Sequence, residues 1–244
     1  RINNEKKQSD SFKVLSTSQV KALTELNESI ESNNVTLLHG VTGSGKTEIY
    51  VQIIQDYLDQ GHQILFLLPE IALTTQLIQR LSAYFGEKIG VYHSKFNQNE
   101  RVEIWNKVLN NDPNEFRIIL GARSSIFLPY QSLGLIIVDE EHEGSFKQYD
   151  PSPRYNARDA SIVLAHMHQA KVVLGTATPS METYYNAKQG KFGLVELKER
   201  YKGLKLPEVM FSDLKRERRL KTMNSHFSNF LLEEMDQVLK KGEQ

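Results

Sequence analysis

Six short apolar runs, rich in β-branched side chains, recur along the chain: Val35–Leu38, Ile64–Leu68, Ile89–Tyr92, Arg117–Leu120, Leu135–Val138 and Lys171–Leu174. Between them Thr47–Asp59, Leu73–Phe85, Asn99–Leu109 and Ala157–His168 place apolar residues at helical i, i+3/i+4 spacing. A strand that is apolar on both faces has to be covered on both faces, and helices inserted between strands supply the cover. The pattern therefore predicts an α/β domain of three layers with a mostly parallel central sheet. It spans residues 16–190, after a polar linker at 1–15 and before a basic tail at 191–244. A further helix is expected after Ser18, read as its N-cap, with Val20, Leu23, Leu26 and Ile30 on one face.

Composition excludes several classes. With 244 residues, 39% hydrophobic and 25% charged, the chain is long enough to bury a core and too apolar to be disordered. No apolar run approaches the roughly 20 residues of a membrane-spanning helix, so no membrane role is expected. Thirty Lys and Arg balance thirty Asp and Glu, which argues against wholesale electrostatic capture of nucleic acid but leaves local patches open. Cysteine is absent, which removes disulfides and thiolate chemistry and fits a cytoplasmic setting. The opening Arg1 and polar first stretch suggest a piece of something longer.

One motif sits where the first apolar run meets the next helix. Gly40-Val-Thr42-Gly43-Ser44-Gly45-Lys46-Thr47 satisfies G-x-x-x-x-G-K-[ST]. Gly43 and Gly45 permit backbone angles that turn successive N–H groups toward an anion, and the helix N-terminus adds partial positive charge. Lys46 is placed to reach the β- and γ-phosphates and Thr47 to offer a hydroxyl to Mg²⁺. A dinucleotide fingerprint fails, because Glu48 stands where its third glycine belongs. The run Leu135–Val138 ends in Asp139 and Glu140, acids at the ligand-binding edge of such a sheet. Alone, an acidic run after a strand is a helix cap or a solvated loop. Beside a P-loop, Asp139 reads as the Mg²⁺ partner and Glu140 as the group that polarises an attacking water, which favours an NTP hydrolase over a kinase.

Asp139-Glu140-Glu141-His142 resembles motif II of superfamily 2 helicases, and the rest of that set follows in order. Gly175-Thr176-Ala177-Thr178-Pro179-Ser180 resembles motif III, Leu68–Gln76 motif Ia and Gly121–Pro129 the motif Ib region. Gln19 resembles the glutamine that reads the adenine edge. The longer strings GVTGSGKTEIY, LLPEIALTTQ, GARSSIFLP, VDEEHEGSFKQYDPSPRYNARD and GTATPSMETYYNA are similar to the replication-restart helicases, over Gln19 to Ala187. The resemblance implies the first RecA-like lobe, a P-loop NTPase domain, of an ATP-driven 3′-to-5′ DNA helicase. It further implies DNA partners (forks, D-loops, single strands), primosome and helicase-loading proteins, and single-stranded-DNA-binding protein. Zn²⁺ is expected in a cysteine-rich module of the full-length protein whose ligands this chain lacks. The arginine finger belongs to a second lobe, so this chain is expected to bind ATP but hydrolyse it negligibly.

After motif II, Gly144–Asp159 interleaves Phe146, Tyr149 and Tyr155 with Lys147, Arg154 and Arg158. Aromatics that stack on bases and cations that meet phosphates are the ingredients of a single-strand contact. The alternative is that the aromatics pack the loop onto the domain. The resemblance implies that this loop couples DNA binding to hydrolysis, with His142, Thr176 and Thr178 bridging motifs II and III. Thr74, Thr75, Arg123, Ser124 and Ser125 are candidates for backbone contacts. His93 and Ser94 resemble a family motif or cap a strand. Trp105 and Phe85 fit core positions. The cluster Lys215–Arg219 is a solvated face or a nucleic-acid contact. Two other readings compete: a different superfamily 2 translocase, and a docking module without turnover.

Overall fold

The first helix, α1 (Thr17–Ser32), begins earlier than its sequence suggests: the N-cap is Ser16, not Ser18. The Ser16 hydroxyl accepts from the Gln19 N–H at 3.3 Å and the Gln19 Oε1 accepts from the Ser16 N–H at 2.8 Å. This reciprocal capping box, worth about 1 kcal/mol, decides the start because only Ser16 has a glutamine three residues on. A computed structural model describes residues 14–69, 75–92, 97–200 and 209–242, leaving aside the side chains of Thr75 and Gln76. The chain divides into two units, residues 1–203 and 204–244.

In the first unit α1 leads into β1 (Val35–Gly40), α2 (Lys46–Asp59), β2 (Gln63–Leu67), α3 (Thr75–Phe85) and β3 (Ile89–Tyr92). Then follow α4 (Gln98–Asn110), β4 (Ile118–Gly121), β5 (Leu133–Asp139), α5 (Ala157–His168), β6 (Lys171–Thr176), α6 (Met181–Lys188) and β7 (Gly193–Leu197). Among the described residues seven strands form one sheet in the order β3-β4-β2-β5-β6-β1-β7, and every pairing is parallel. The sheet continues past residue 190, where the sequence reading ends the lobe, because β7 pairs with β1 from Thr36↔Gly193 to Gly40↔Leu197. As an edge strand it alternates buried and half-exposed residues, so it lacks the continuous apolar run that marks the inner strands.

Each strand divides its side chains between two cores. Leu38, Ile64, Phe66, Ile118, Leu120, Leu135, Ile137 and Val173 pack with Leu26 of α1, Ile53 of α2 and Leu81 of α3. Their neighbours Leu37, Leu65, Ile119, Ile136, Val138, Val172 and Leu174 face the other way, against Val108 of α4 and Ala165 of α5. Phe85 takes the expected core position, but Trp105 does not. It is 44% exposed, because α4 turns Ile104 and Val108 to the sheet and leaves Trp105 beside that face.

The second unit contains α7 (Leu214–Leu220), which carries Lys215–Arg219, and α8 (Asn229–Lys240). The Asp213 carboxylate caps α7 by accepting from the N–H groups of Lys215 and Arg216. No residue of either helix is buried. Among the described residues, no helix is long and apolar enough to cross a membrane.

Candidate functional site

The carboxyl ends of β1 and β5 open onto a cleft of about 480 Å³, lined by Gln19, Thr42, Gly43, Ser44, Gly45, Lys46, Thr47, Glu48, Arg80, Asp139 and Glu140. Residues far apart in the chain meet there because β6 alone separates β1 from β5 in the sheet. Gly43 and Gly45 both have positive φ, 76° and 86°, and Gly45 serves as the N-cap of α2. A Cβ on Gly45 would fall 2.1 Å from the Gln19 side-chain nitrogen, so this position excludes any larger residue twice over. Lys46 Nζ donates to the Gly40 carbonyl at 2.8 Å, which folds its ammonium back over the loop. Ser44 Oγ is buried and has no hydrogen-bond partner among the described residues. A helix N-terminus, a lysine held by a carbonyl and an orphaned hydroxyl fit a polyphosphate anion.

Gln19 is almost fully buried, and its Nε2 donates to the Ser44 and Gly45 carbonyls at 3.2 and 3.4 Å. With its Oε1 committed to the Ser16 cap, it braces the P-loop. Across the loop, Arg80 of α3 is ion-paired with Glu48, which also accepts from Tyr84 Oη at 3.2 Å. Arg80 is not legible as a cleft residue from spacing, because it reaches the cleft from α3, held there by its ion pair with Glu48.

At the opposite wall, Tyr50 Oη donates to Asp139 Oδ1 at 2.9 Å. Burial pushes the Asp139 carboxyl up to about 6; Tyr50 and Lys46 oppose the shift and the Glu140 charge adds to it. Burial, and then the Asp139 charge, push the Tyr50 phenol well above its usual range. Glu140 turns the chain off β5 in the left-handed region, φ 51°. His142 Nδ1 lies 2.8 Å from Thr176 Oγ1 and 3.6 Å from Glu140 Oε2, and its Nε2 is 3.4 Å from Thr178 Oγ1. Thr176 is itself fully buried. Next in the chain, Glu141 is buried with four donors: Ser180 N–H at 2.7 Å, Ser180 Oγ at 3.1 Å, Thr183 Oγ1 at 2.9 Å and Arg158 Nη1 at 3.0 Å. Within the acidic run, then, Asp139 and Glu140 face the cleft while Glu141 joins β5 to α5 and α6. Identical side-chain chemistry in sequence hides that division.

The loop after motif II also splits. Phe146 is 1% exposed and belongs to the core shared by β5 and α5, so it cannot stack on a base as the sequence suggests; it anchors the loop. Tyr149 is 71% exposed. Between them the loop doubles back: Lys147 bridges Asn156, the Gln148 N–H donates to the Tyr155 carbonyl at 2.8 Å, and Gln148 Nε2 donates to the Pro151 and Pro153 carbonyls. Arg123 Nη1 donates to the Lys147 carbonyl at 3.0 Å, and Tyr155 meets Phe127 edge-on with ring centroids 5.1 Å apart. Phe127 is a solvent-exposed aromatic that the sequence pattern does not single out. Arg154 is exposed. Ser125 is fully buried, with its hydroxyl on the Ala122 carbonyl at 2.6 Å, and so is not available for the backbone contact suggested for it. Thr74, His93, Ser94 and the side chain of Thr75 lie outside the described residues.

Among the described residues no three His, Cys, Asp or Glu side chains cluster as a metal cage. Thr47 and Asp139 on one cleft instead suit a cation that takes its remaining ligands from phosphate and water.

The family model described as Type III restriction enzyme, res subunit (ResIII), matches residues 12–181. The chain is 42% identical over 232 residues to replication restart protein PriA of Bacillus subtilis (strain 168), and 45% identical over 231 residues to replication restart protein PriA of Rickettsia felis. Each match covers 94% of this chain but only 28% and 34% of those relatives, so the chain spans about a third of their length. A solved structure of RecG bound to a three-way DNA junction superposes with TM-score 0.61 at 21% identity, over 85% of this chain and 27% of that one. That likeness shows a shared fold, the three-layer RecA-like α/β domain with its parallel sheet.

Proposed function

Because the chain belongs to the family described as Type III restriction enzyme, res subunit, and resembles replication restart protein PriA through nearly all of its length, we propose that it is the ATP-binding first lobe of a 3′-to-5′ DNA helicase acting in replication restart and primosome assembly. The observation that carries this reading is the cleft onto which the P-loop and Asp139/Glu140 both open, joined by His142 to Thr176 and Thr178.

In this proposal the N–H groups of Gly43 to Thr47 cradle the phosphates, and Lys46 leaves the Gly40 carbonyl to reach the β- and γ-phosphates. Thr47 and Asp139 hold Mg²⁺, which supplies charge neutralisation to the transferred phosphoryl group. Glu140 orients a water at the γ-phosphorus and accepts its proton as the β–γ bridge breaks, giving ADP and phosphate. Gln19 keeps the loop in its binding conformation; both its Nε2 hydrogens are already given to the Ser44 and Gly45 carbonyls, so it reaches the adenine edge only by releasing one of them. His142, set between Glu140 and Thr176/Thr178, carries changes at the γ-phosphate toward motif III. Single-stranded DNA is contacted by Tyr149, Lys147, Arg154 and Tyr155, with Phe146 as their anchor. Forked DNA, D-loops, helicase-loading proteins and single-stranded-DNA-binding protein are the partners proposed for the whole enzyme. The lobe is proposed to start at residue 16 and to include β7, with residues 204–244 as a separate unit.

Turnover by this chain alone is proposed to be negligible. Among the described residues, the cations lining the cleft are Lys46 and Arg80, and Arg80 is tied to Glu48. In related NTPases a further arginine on the γ-phosphate supplies a factor of ~10³–10⁵ in rate. The test is nucleotide binding to the wild-type chain beside Lys46→Ala, followed by phosphate release with and without forked DNA. Lys46→Ala is expected to weaken ATP binding by about tenfold or more, the loss of one charge-assisted contact. Equal binding by both, or DNA-stimulated turnover by the chain alone, would overturn the reading.

A further inference from the structure

Among the described residues, Tyr50 is the tyrosine whose hydroxyl reaches Asp139, and spacing from the P-loop gives no hint of it. It is fully buried on the first turns of α2, and its ring packs edge-on against Phe66 of β2 with centroids 5.5 Å apart. Two groups meet its hydroxyl. Asp139 Oδ1 accepts its proton at 2.9 Å, and Gly175 of β6 faces it so closely that a Cβ there would lie 1.7 Å from the hydroxyl oxygen. Gly175 is the β6 register partner of Asp139, so the space emptied by the missing side chain is the space the tyrosine hydroxyl fills.

We propose that Tyr50 is the positioning residue for the Mg²⁺-binding carboxylate: it holds Asp139 Oδ1 from α2, and thereby leaves Oδ2 turned to the cleft for the cation. The proposal rests on the ATP·Mg²⁺ reading above. A carboxylate at the end of a strand has free rotation about two side-chain torsions, and a fixed donor on one oxygen selects a single orientation of the other. Because Tyr50 lies one turn from Lys46 and Thr47, the same helix that presents the P-loop also aims the acid across from it. A shift of α2 would move both halves of the cation site together. Gly175 then has a defined reason to be glycine: any side chain displaces the hydroxyl and frees Asp139 to rotate.

The experiment measures fluorescent ADP binding to the chain, with Mg²⁺ titrated from EDTA upward, for wild type, Asp139→Ala, Tyr50→Phe, Gly175→Ala and the Tyr50→Phe/Gly175→Ala pair. Thermal unfolding is followed in parallel. Tyr50→Phe is expected to raise the Mg²⁺ midpoint about three- to tenfold, the usual lower range for loss of an outer-shell partner, with affinity in EDTA unchanged. Asp139→Ala raises it further. Gly175→Ala lowers the unfolding temperature, and Tyr50→Phe restores part of that loss by removing the clashing oxygen. The pair then matches Tyr50→Phe in its Mg²⁺ midpoint. A purely structural tyrosine would move the unfolding temperature and leave the Mg²⁺ midpoint of the folded variant where it was, which overturns the proposal. Should Tyr50→Phe fail to fold, the Mg²⁺ midpoint of Gly175→Ala decides: unchanged, it also overturns the proposal. Absence of ADP binding by wild type itself would instead refute the nucleotide reading, and this inference with it.

Discussion

The acidic side of the P-loop cleft and the loop of residues 144–156 leave the same strand, β5, within a few residues of each other, yet they are held by opposite means. In the cleft, side chains from separate elements fix one another: Gln19 of α1 on the P-loop carbonyls, Tyr50 of α2 on Asp139, His142 on Thr176. The loop has a single deep anchor, Phe146; Gln148 and its backbone fold it back on itself, Arg123 and Phe127 touch it at Lys147 and Tyr155, and Tyr149 is left in solvent. Positions that meet a small, rigid, highly charged ligand need the first arrangement, because misplacement by an ångström forfeits much of a phosphate or metal contact. A surface that follows a flexible polymer is served by the second, in which exposed rings keep their freedom until a base arrives.

The contrast is sharpest between two aromatics three residues apart. Phe146→Ala is expected to cost about 3–5 kcal/mol of unfolding free energy, measured by denaturant titration, since it empties a fully buried site. Unchanged stability would mean that the loop has no anchor and that the two regions do not differ in this way. Tyr149→Ala is expected to leave stability within about 0.5 kcal/mol of wild type. In the full-length enzyme the same change should weaken single-strand binding by about 1–3 kcal/mol, read by fluorescence anisotropy. A large stability loss with unaltered DNA affinity would reverse the roles given to the two rings.

A further effect concerns pH and belongs to the cleft alone. Asp139 sits at about 6 in the folded chain against 3.8 as its ordinary value, the reverse of an ion-paired aspartate. A folded value above the unfolded one means that its contribution to stability is fully present below the unfolded value and is lost as pH rises through about 6. Thermal unfolding of the nucleotide-free chain from pH 4 to 7 should therefore show wild type losing ground to Asp139→Asn as pH rises. Parallel curves for the two proteins would remove burial as the dominant influence on this carboxyl.

Much of this arrangement is legible in the amino-acid sequence. The inner strands announce themselves because burial on both faces demands unbroken apolar runs, and Ala157–His168 coincides with α5 end for end. The edge strand β7 escapes because, among the described residues, no strand pairs with its outer flank and its side chains alternate. Trp105 misleads for a related reason: helical spacing marks a face, but only the packing of α4 on the sheet settles how wide the buried part of that face is. In the site, Gly43, Gly45, Lys46 and Asp139 can be named from spacing, since a phosphate cradle requires specific residue types at fixed local offsets. Arg80, Tyr50, Phe127 and the separate task of Glu141 cannot, because each acts through a neighbour distant in sequence.

Sequence by itself determined the alternation of strands and helices, the P-loop at the end of the first strand and the acids at the end of the fifth. These are local facts, set by hydrophobic period and by the backbone freedom of glycine. Tertiary structure alone decided which acid faces the cleft, which aromatic is buried as an anchor and which is left in solvent, and why a side chain at residue 175 would meet Tyr50. Those outcomes depend on which side chains the parallel sheet brings within hydrogen-bonding or van der Waals distance, and strand order, not chain order, controls that.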